Sequence, residues 1–267
     1  MRAGREDRPP VTLMYHDVTP AGRAYAGIGE SVTRYFVTAE RFEAHLAALD
    51  DADVRVTFDD GWLGSLETAG PILQAHHRTA VVFVTTGLVG RPHFATVEIL
   101  RAAVESGVFR VGGHGVTHRM LATLPEAEIR RELTESKREL EDWTGRVVDT
   151  FAAPGGSLDA RVERIARECG YAELFGSRPG RDRVAERVGR RMAVTSGTTA
   201  EDVAAWAAGR FGTGPLRFAV LDAAKRTLGR GRYERLRARL LGSGDDLDMT
   251  DLLSEEVRRH YDLGEGR

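Results

Sequence analysis

The sequence predicts an α/β protein: a distorted (β/α)7 barrel followed by a helical C-terminal extension. Seven short runs rich in β-branched and apolar residues have the length and composition of buried strands. Segments with apolar residues at helical spacing separate most of these runs, and such alternation requires a parallel sheet covered by helices. After about residue 199 the strand-like runs stop, and only helical patterns follow.

The predicted strands, in chain order, are Val11 to Tyr15, Val54 to Phe58, Ala80 to Thr85, Val108 to Val111, Val147 to Ala152, Ala172 to Gly176 and Arg191 to Val194. Phe42, Leu46 and Leu49 have the spacing of one buried helix side. Pro125 and Gly145 are the residue types that begin and end a second helix. Seven repeats in about 200 residues suit an incomplete barrel better than an open sheet.

The chain is predicted to divide into a catalytic barrel over residues 1–199 and a helical extension over residues 200–267. The predicted helices of the extension are Ala200 to Ala208, Leu216 to Leu241 and Leu252 to Tyr261. The basic stretch from Lys225 to Arg239 could bind a membrane surface or a partner helix. Leucines at helical spacing with arginines opposite favour a helix docked on its own domain. Residues 19–32, with three glycines and no periodicity, are predicted to form a loop.

Composition excludes several classes of function. The 38 basic and 40 acidic side chains give a net charge of −2, so nothing suggests nucleic acid as a partner, and a membrane is an improbable one. The N-terminus lacks the apolar run of a signal peptide, so a cytoplasmic location is expected. A lone Cys169 excludes an internal disulfide and a multi-cysteine zinc knuckle, so any bound metal must have histidine and carboxylate ligands.

Acidic and imidazole side chains follow two of the predicted strands. Asp59 and Asp60 come directly after the second strand, where one carboxylate can hold a cation while its neighbour accepts a proton from water. Asp-Gly is also a frequent turn pair, so this segment alone favours a turn. His114 and His118 follow the fourth strand at a spacing that brings both imidazoles to one side. Together these residues predict a catalytic divalent metal site with open coordination positions.

These motifs resemble those of the polysaccharide deacetylase family, carbohydrate esterase family 4. The family's T-F-D-D-G motif stands here at residues 57–61, and its H-[ST]-x-x-H motif, or one close to it, at residues 114–118. Further similar segments are L-M-Y-H-D-V at 13–18, A-V-V-F-V-T at 80–85 and F-A-A-P-G-G at 151–156. The resemblance implies a distorted (β/α) barrel with Asp59 as catalytic base. It also implies that Asp60, His114 and His118 bind a metal ion, usually zinc.

Two departures from the family pattern affect these roles. Ala152 stands where many relatives have an arginine that pairs with the catalytic base, and loss of that cation is expected to raise the pKa of Asp59. No histidine lies between His118 and His260, so the chain lacks the late histidine that protonates the leaving amine in many relatives. The chain shares this absence with the exopolysaccharide deacetylase branch, whose N-terminal histidine approaches the metal site. His16 is therefore the candidate general acid.

The predicted function is metal-dependent removal of an N-acetyl group from an acetamido sugar or a glycosylated small-molecule intermediate. The backbone at Pro154 and Gly155 is a candidate oxyanion site, because glycine permits close approach of substrate. Trp62 could support a sugar ring or pack in the core. Two alternatives remain: a catalytically inactive carbohydrate-binding relative, which would have no need of Asp59, and a hydrolase of a small non-sugar amide or cyclic imide.

Overall fold

The computed structural model describes residues 9–212 and 249–263, except residues 24, 26, 27, 51, 157 and 183–186. Its strands are β1 (Val11–Tyr15), β2 (Asp17–Thr19), β3 (Phe36–Thr38), β4 (Val54–Phe58), β5 (Ala80–Val84), β6 (Phe109–Gly113), β7 (Thr150–Ala152), β8 (Glu173–Phe175) and β9 (Met192–Ala193). The α-helices are α1 (Glu30–Thr33), α2 (Ala39–Leu49), α3 (Gly64–Glu67), α4 (Ala69–Ala75), α5 (Val97–Glu105), α6 (Glu126–Thr144), α7 (Ala160–Glu168), α8 (Ala200–Ala207) and α9 (Glu255–His260).

The seven predicted strands form one parallel sheet, which confirms the predicted fold class. Its strand order is β8, β7, β6, β5, β4, β1 and β9. The sheet curls towards closure, because Gly189, just before β9, bonds to the opposite edge strand: its N–H donates to the Leu174 carbonyl at 2.7 Å. The result is the half-barrel expected from the alternation of strands and helices, with the carboxyl ends of all seven strands at one mouth.

The two helices predicted from sequence signals in the barrel region are confirmed as α2 and α6. Phe42, Leu46 and Leu49 lie on the buried side of α2. Helix α6 begins after Pro125 and ends at Gly145, which adopts the left-handed conformation (φ 65°) that glycine tolerates without a Cβ clash. These two helices pack against the sheet, and their buried apolar side chains belong to the main hydrophobic core.

One part of the N-terminal region differs from the prediction. Strands β2 and β3 pair in a separate two-stranded parallel sheet, and α1 begins inside the segment predicted as a loop. Each of these strands has three residues, which is too short for a periodic pattern to emerge in sequence. The Tyr25 hydroxyl donates to the buried Asp17 carboxylate and so ties the intervening segment to β2.

The C-terminal region contributes two described pieces to the molecule. Helix α8 begins with a reciprocal capping box between Thr199 and Asp202 and packs on α2. Residues 249–263 place Leu253 in an apolar cluster with Phe36 and Trp62. The helix predicted over 216–241 and the basic stretch lie outside the described residues, so the division at residue 199 stays a prediction. Among the described residues, no helix combines the length and the apolar character needed to span a lipid bilayer.

Candidate active site

Strand β4 delivers two acidic side chains to the mouth of the barrel. The Asp59 N–H donates to the Tyr15 carbonyl at 3.0 Å, so the β1–β4 hydrogen-bond ladder extends one residue past the strand. Asp60 then adopts a left-handed conformation (φ 73°), followed by Gly61 (φ 86°). A non-glycine residue in this region costs free energy, and such strain concentrates at functional sites. This sharp turn keeps both carboxylates buried at the strand end.

Strand β6 delivers the two histidines in a similar way. The His114 N–H donates to the Val84 carbonyl at 3.0 Å, which continues the ladder between β5 and β6. The chain then turns through Gly115 (φ 79°), and His118 is also left-handed (φ 62°). Because β4, β5 and β6 are adjacent and parallel, this turn lies beside the Asp59–Asp60 turn.

Asp60, His114 and His118 converge on one point, as the sequence predicted. The Asp60 Oδ1 atom lies 3.1 Å from His118 Nε2 and 3.4 Å from His114 Nε2. One ligand atom from each residue lies within 4.8 Å of the others. Asp60 and His114 are buried, whereas the His118 side chain is 21% exposed, so the cluster opens to solvent on the His118 side.

Hydrogen bonds outside the cluster fix which atoms face inward. His114 Nδ1 donates to the Ala152 carbonyl at 2.7 Å, and since a carbonyl only accepts, Nε2 is the ring nitrogen that is left to face Asp60 and a metal. The Trp62 indole N–H donates to Asp60 Oδ2 at 2.9 Å, which directs Oδ1 towards the histidines. This is the outer arrangement that metal-binding imidazoles and carboxylates usually have.

The residues present fit a divalent metal ion. Asp60 Oδ1 is buried and accepts no hydrogen bond from any described residue, which is costly for a carboxylate oxygen unless a cation sits against it. Burial raises the pKa of Asp60, but the imidazoles of His118 and His114 outweigh it and hold the pKa well below its usual range. An anionic oxygen with two imidazole nitrogens and open positions is a donor set that suits zinc.

Arg191 is a site residue that the sequence analysis missed. It is buried immediately before β9, and its guanidinium forms a bidentate pair with Asp59, with Nη1–Oδ1 at 2.6 Å and Nη2–Oδ2 at 2.9 Å. Its Nε donates to the Gly176 carbonyl at 2.8 Å, and its guanidinium carbon lies 5.5 Å from the Phe83 ring centroid. Arg191 is therefore held inside the barrel beneath Asp59.

The expectation that the Asp59 pKa is raised, because Ala152 replaces an arginine, is wrong. Burial raises the pKa of Asp59, but Arg191, with smaller contributions from His114 and His16, brings it below the usual value. Asp59 is thus anionic, and both of its oxygens have a fixed direction. The one signal in the sequence was an arginine at the head of an otherwise apolar predicted strand, Arg191 to Val194.

His16 follows β1 and lies at the same mouth. Its ring packs on Tyr35, with 4.8 Å between centroids, and its Nδ1 is buried without a hydrogen-bond partner among the described residues. Burial lowers the pKa of His16, while the nearby carboxylates of Asp60 and Asp59 act in the opposite direction. The structure therefore brings His16 to the candidate base and ligands, and its role as general acid stays a prediction.

The third motif forms a short 3-10 turn after β7. Pro154 is buried and has no N–H, so it can only shape the turn. Gly155 is left-handed (φ 59°), and a Cβ there would lie 3.3 Å from Met120 Cε. Met120 is 51% exposed and lies two residues after His118, so the turn borders the open side of the cluster. The oxyanion role of Gly155 stays a prediction.

The predicted contact of Trp62 with a sugar ring is wrong. Its side chain is fully buried and packs on Phe36 and Phe94, with ring centroids 4.8 and 4.1 Å away. No face of the ring is open to a sugar. The alternative of core packing describes its position, and its indole N–H orients Asp60 as described above.

Comparisons with known proteins agree with this geometry. The family model described as polysaccharide deacetylase matches residues 47–174, which include both motifs. Over 191 residues, 63% of this chain, the sequence is 24% identical to YxkH of Bacillus subtilis (strain 168), a candidate polysaccharide deacetylase. The aligned part is 64% of that protein, so the chain spans less than two thirds of its length.

Two solved structures are similar in sequence as well as in fold. IcaB from Ammonifex degensii is 26% identical with a TM-score of 0.63, and the match covers 75% of this chain and 97% of that one. BA0330 from Bacillus anthracis, a candidate polysaccharide deacetylase, is 25% identical with a TM-score of 0.65, covering 74% and 69%. Residues 47–174 thus match the polysaccharide deacetylase family model across both motifs, and the half-barrel around them is similar to that of these solved structures.

Proposed function

We propose that this protein is a metal-dependent hydrolase that removes the N-acetyl group from an acetamido sugar. The observation that carries the proposal is the pairing of two sites at one barrel mouth. One is the Asp60–His114–His118 cluster with its unsatisfied Oδ1. The other is the adjacent anionic Asp59, held in a bidentate pair by Arg191. A ligand set beside an oriented base is the arrangement that amide hydrolysis by activated water requires.

Asp60 Oδ1, His114 Nε2 and His118 Nε2 are the atoms proposed to hold the ion, with zinc as the proposed metal. A bound divalent ion supplies Lewis acidity, which polarises the amide carbonyl and makes a bound water more acidic. Asp59 accepts the proton of the attacking water while Arg191 keeps the carboxylate in place. The backbone at Gly155 is proposed to stabilise the negative charge that develops on the carbonyl oxygen.

His16 is proposed to protonate the departing nitrogen, so that the C–N bond breaks and acetate and a free amine are released. Because burial lowers the pKa of His16, its ring is expected to be neutral before substrate binds. In this scheme His16 gains its proton during the reaction, and the water proton first taken by Asp59 is the nearest source.

The proposed substrate is an acetamido sugar carried by a small molecule or a glycan chain. One solved relative named above, BA0330, is described as a candidate polysaccharide deacetylase, which favours a polymer. The expected room for an aglycone beside the third-motif glycines is not supported, because Met120 and Ser177 occupy the space next to Gly155 and Gly156. The cytoplasmic location stays a prediction from the sequence.

An acetate-release assay with the zinc-loaded protein tests the proposal. Small acetamido-sugar conjugates, sugar nucleotides, chitin oligomers and peptidoglycan fragments are compared with a simple aliphatic acetamide and a cyclic imide. Acetate release from any acetamido sugar, lost after chelation and restored by zinc, is the expected result. Ring opening of the imide releases no acetate, so it is followed by disappearance of the imide itself. Turnover of the imide alone indicates the small-amide alternative. Sugar binding without turnover indicates the inactive carbohydrate-binding alternative.

Replacement of His16 by alanine is expected to spare metal binding and to lower acetamide hydrolysis about a hundredfold. Hydrolysis of an activated acetate ester, whose leaving group needs no proton, is expected to fall less than about tenfold. Rates on both substrates are measured beside His76→Ala, a change at a helix end away from the cluster. Equal losses on amide and ester would assign His16 a structural role.

A further inference from the structure

A buried carboxylate stands behind the loop that joins the two metal-binding histidines. Glu132 lies in the middle of α6 and has no exposed surface. Its Oε2 accepts the backbone N–H of Val116 at 2.7 Å and that of Thr117 at 3.0 Å. Its Oε1 accepts the Thr117 hydroxyl. A single side chain therefore satisfies three donors of a five-residue loop that begins and ends at a proposed ligand.

The other side of the same loop is fixed by backbone bonds. The carbonyls of Gly115 and Val116 accept the N–H groups of Thr86 and Gly87 at 3.1 and 3.0 Å. His114 is held by the β5–β6 ladder, whereas His118 ends the loop in a left-handed conformation. The position of His118 relative to His114 thus depends on where Glu132 places the intervening amides.

Arg119 completes the arrangement around Glu132. Its Nη2 lies 3.3 Å from Glu132 Oε1, its Nε donates to the Thr117 hydroxyl at 3.0 Å, and its Nη1 pairs with Glu128 at 2.7 Å. The buried charge of Glu132 is therefore compensated by a cation immediately after His118. A buried carboxylate that accepts hydrogen bonds from this many donors is stable only while those donors stay in place. The loop and α6 therefore constrain one another.

We propose that Glu132 is a positioning residue for the metal site: it sets the distance and orientation of His118 relative to His114 and so determines metal affinity. The inference rests on the proposed function, since it requires that the two histidines bind metal. It adds a residue 14 positions after the second histidine, on a helix, to a site otherwise made of strand ends and their turns. Outer groups of this kind commonly change metal affinity by about 10- to 100-fold.

The decisive variant is Glu132→Gln, which keeps the shape but replaces one acceptor oxygen with an NH2 group that cannot accept the loop's donors. The matched control is Glu141→Gln. Glu141 lies on the same helix, accepts the Val148 N–H at 2.9 Å and pairs with Lys137 at 3.0 Å, remote from the metal loop. A milder second variant, Thr117→Val, removes only the loop hydroxyl.

Zinc affinity is measured by competition with a chromophoric chelator, and site geometry by the visible spectrum of the cobalt-substituted protein. Glu132→Gln is expected to weaken zinc binding at least about tenfold and to alter the cobalt spectrum, with Glu141→Gln unchanged. Thr117→Val is expected to weaken zinc binding a few-fold. If Glu132→Gln does not fold, the zinc affinity of Thr117→Val alone tests the inference. The inference would be overturned if each of these two variants that folds has the zinc affinity and the cobalt spectrum of the wild type.

The outcomes also separate this inference from the proposed function. Tight zinc binding by the wild type, weakened by Glu132→Gln, supports the inference even if no acetate is released from any sugar. Zinc binding by the wild type that neither variant weakens overturns the inference and leaves the deacetylase proposal standing. Failure of the wild type to bind zinc or cobalt overturns both, since there is then no metal for Glu132 to position.

Discussion

Replacement of His114 by alanine is expected to abolish stoichiometric metal binding, and with it the hydrolysis of acetamido sugars. His114 is buried, its Nδ1 is committed to the Ala152 carbonyl, and its Nε2 is one of three proposed ligand atoms. Loss of a direct ligand should exceed the roughly 10- to 100-fold loss of affinity that outer groups cause. An affinity loss of more than about a hundredfold is therefore expected, and turnover should fall in parallel.

Metal content after dialysis against zinc at fixed free concentration is the measurement, with acetate release recorded on the same samples. His118→Ala is expected to behave in the same way, because its Nε2 also lies close to Asp60 Oδ1. His76→Ala provides a control histidine away from the cluster. One full equivalent of zinc in both His114→Ala and His118→Ala would remove these residues from the ligand set.

The Asp60–His114–His118 cluster could be predicted because its residues follow the ends of strands that lie near one another in the sheet. Asp60 and the two histidines each follow a strand, and parallel strands that neighbour one another in a sheet must end at the same edge. The apolar runs located those strand ends to within a few residues. Periodicity and one rule of topology were therefore sufficient to place three side chains around one point.

Arg191 could not be placed by the same reasoning. It lies 132 residues from Asp59, and β9 comes close to β4 only because it pairs with β1 at the edge of the sheet. The sequence shows an arginine next to a strand, and nothing in its neighbours says that the side chain enters the barrel. Ala152 in the third motif therefore suggested that Asp59 has lost its cation, although Arg191, next to β9, supplies one.

Glu132 and Trp62 illustrate a second limit. Helical spacing identifies the buried side of α6, but a glutamate on that side has no periodic signal that distinguishes it from exposed neighbours. Trp62 follows Asp59 and Asp60 closely in the chain, and the sequence alone could not decide whether its ring faces substrate or the core. Which alternative holds depends on Phe36 and Phe94, which pack on the ring from other segments.

Asp59→Asn is expected to retain bound zinc and to lose at least about a hundredfold in turnover, because an amide cannot accept the water proton. The same change leaves the buried guanidinium of Arg191 without an anion, and breaking such a pair costs about 3–5 kcal/mol of folding free energy. Arg191→Met is expected to be comparably destabilised, since it leaves Asp59 buried without its cation. Loss of activity in either single variant could thus reflect a weakened fold.

The double variant Asp59→Asn with Arg191→Met separates the two effects. Removal of both charges eliminates the unpaired buried ion, so the free energy of unfolding is expected to recover most of the loss seen in the single variants. Turnover should not recover, because the proton acceptor is still absent. Denaturant unfolding, zinc content and acetate release are measured on all four proteins. A stable, zinc-loaded double variant with near wild-type turnover would show that Asp59 serves only to balance the charge of Arg191 inside the barrel.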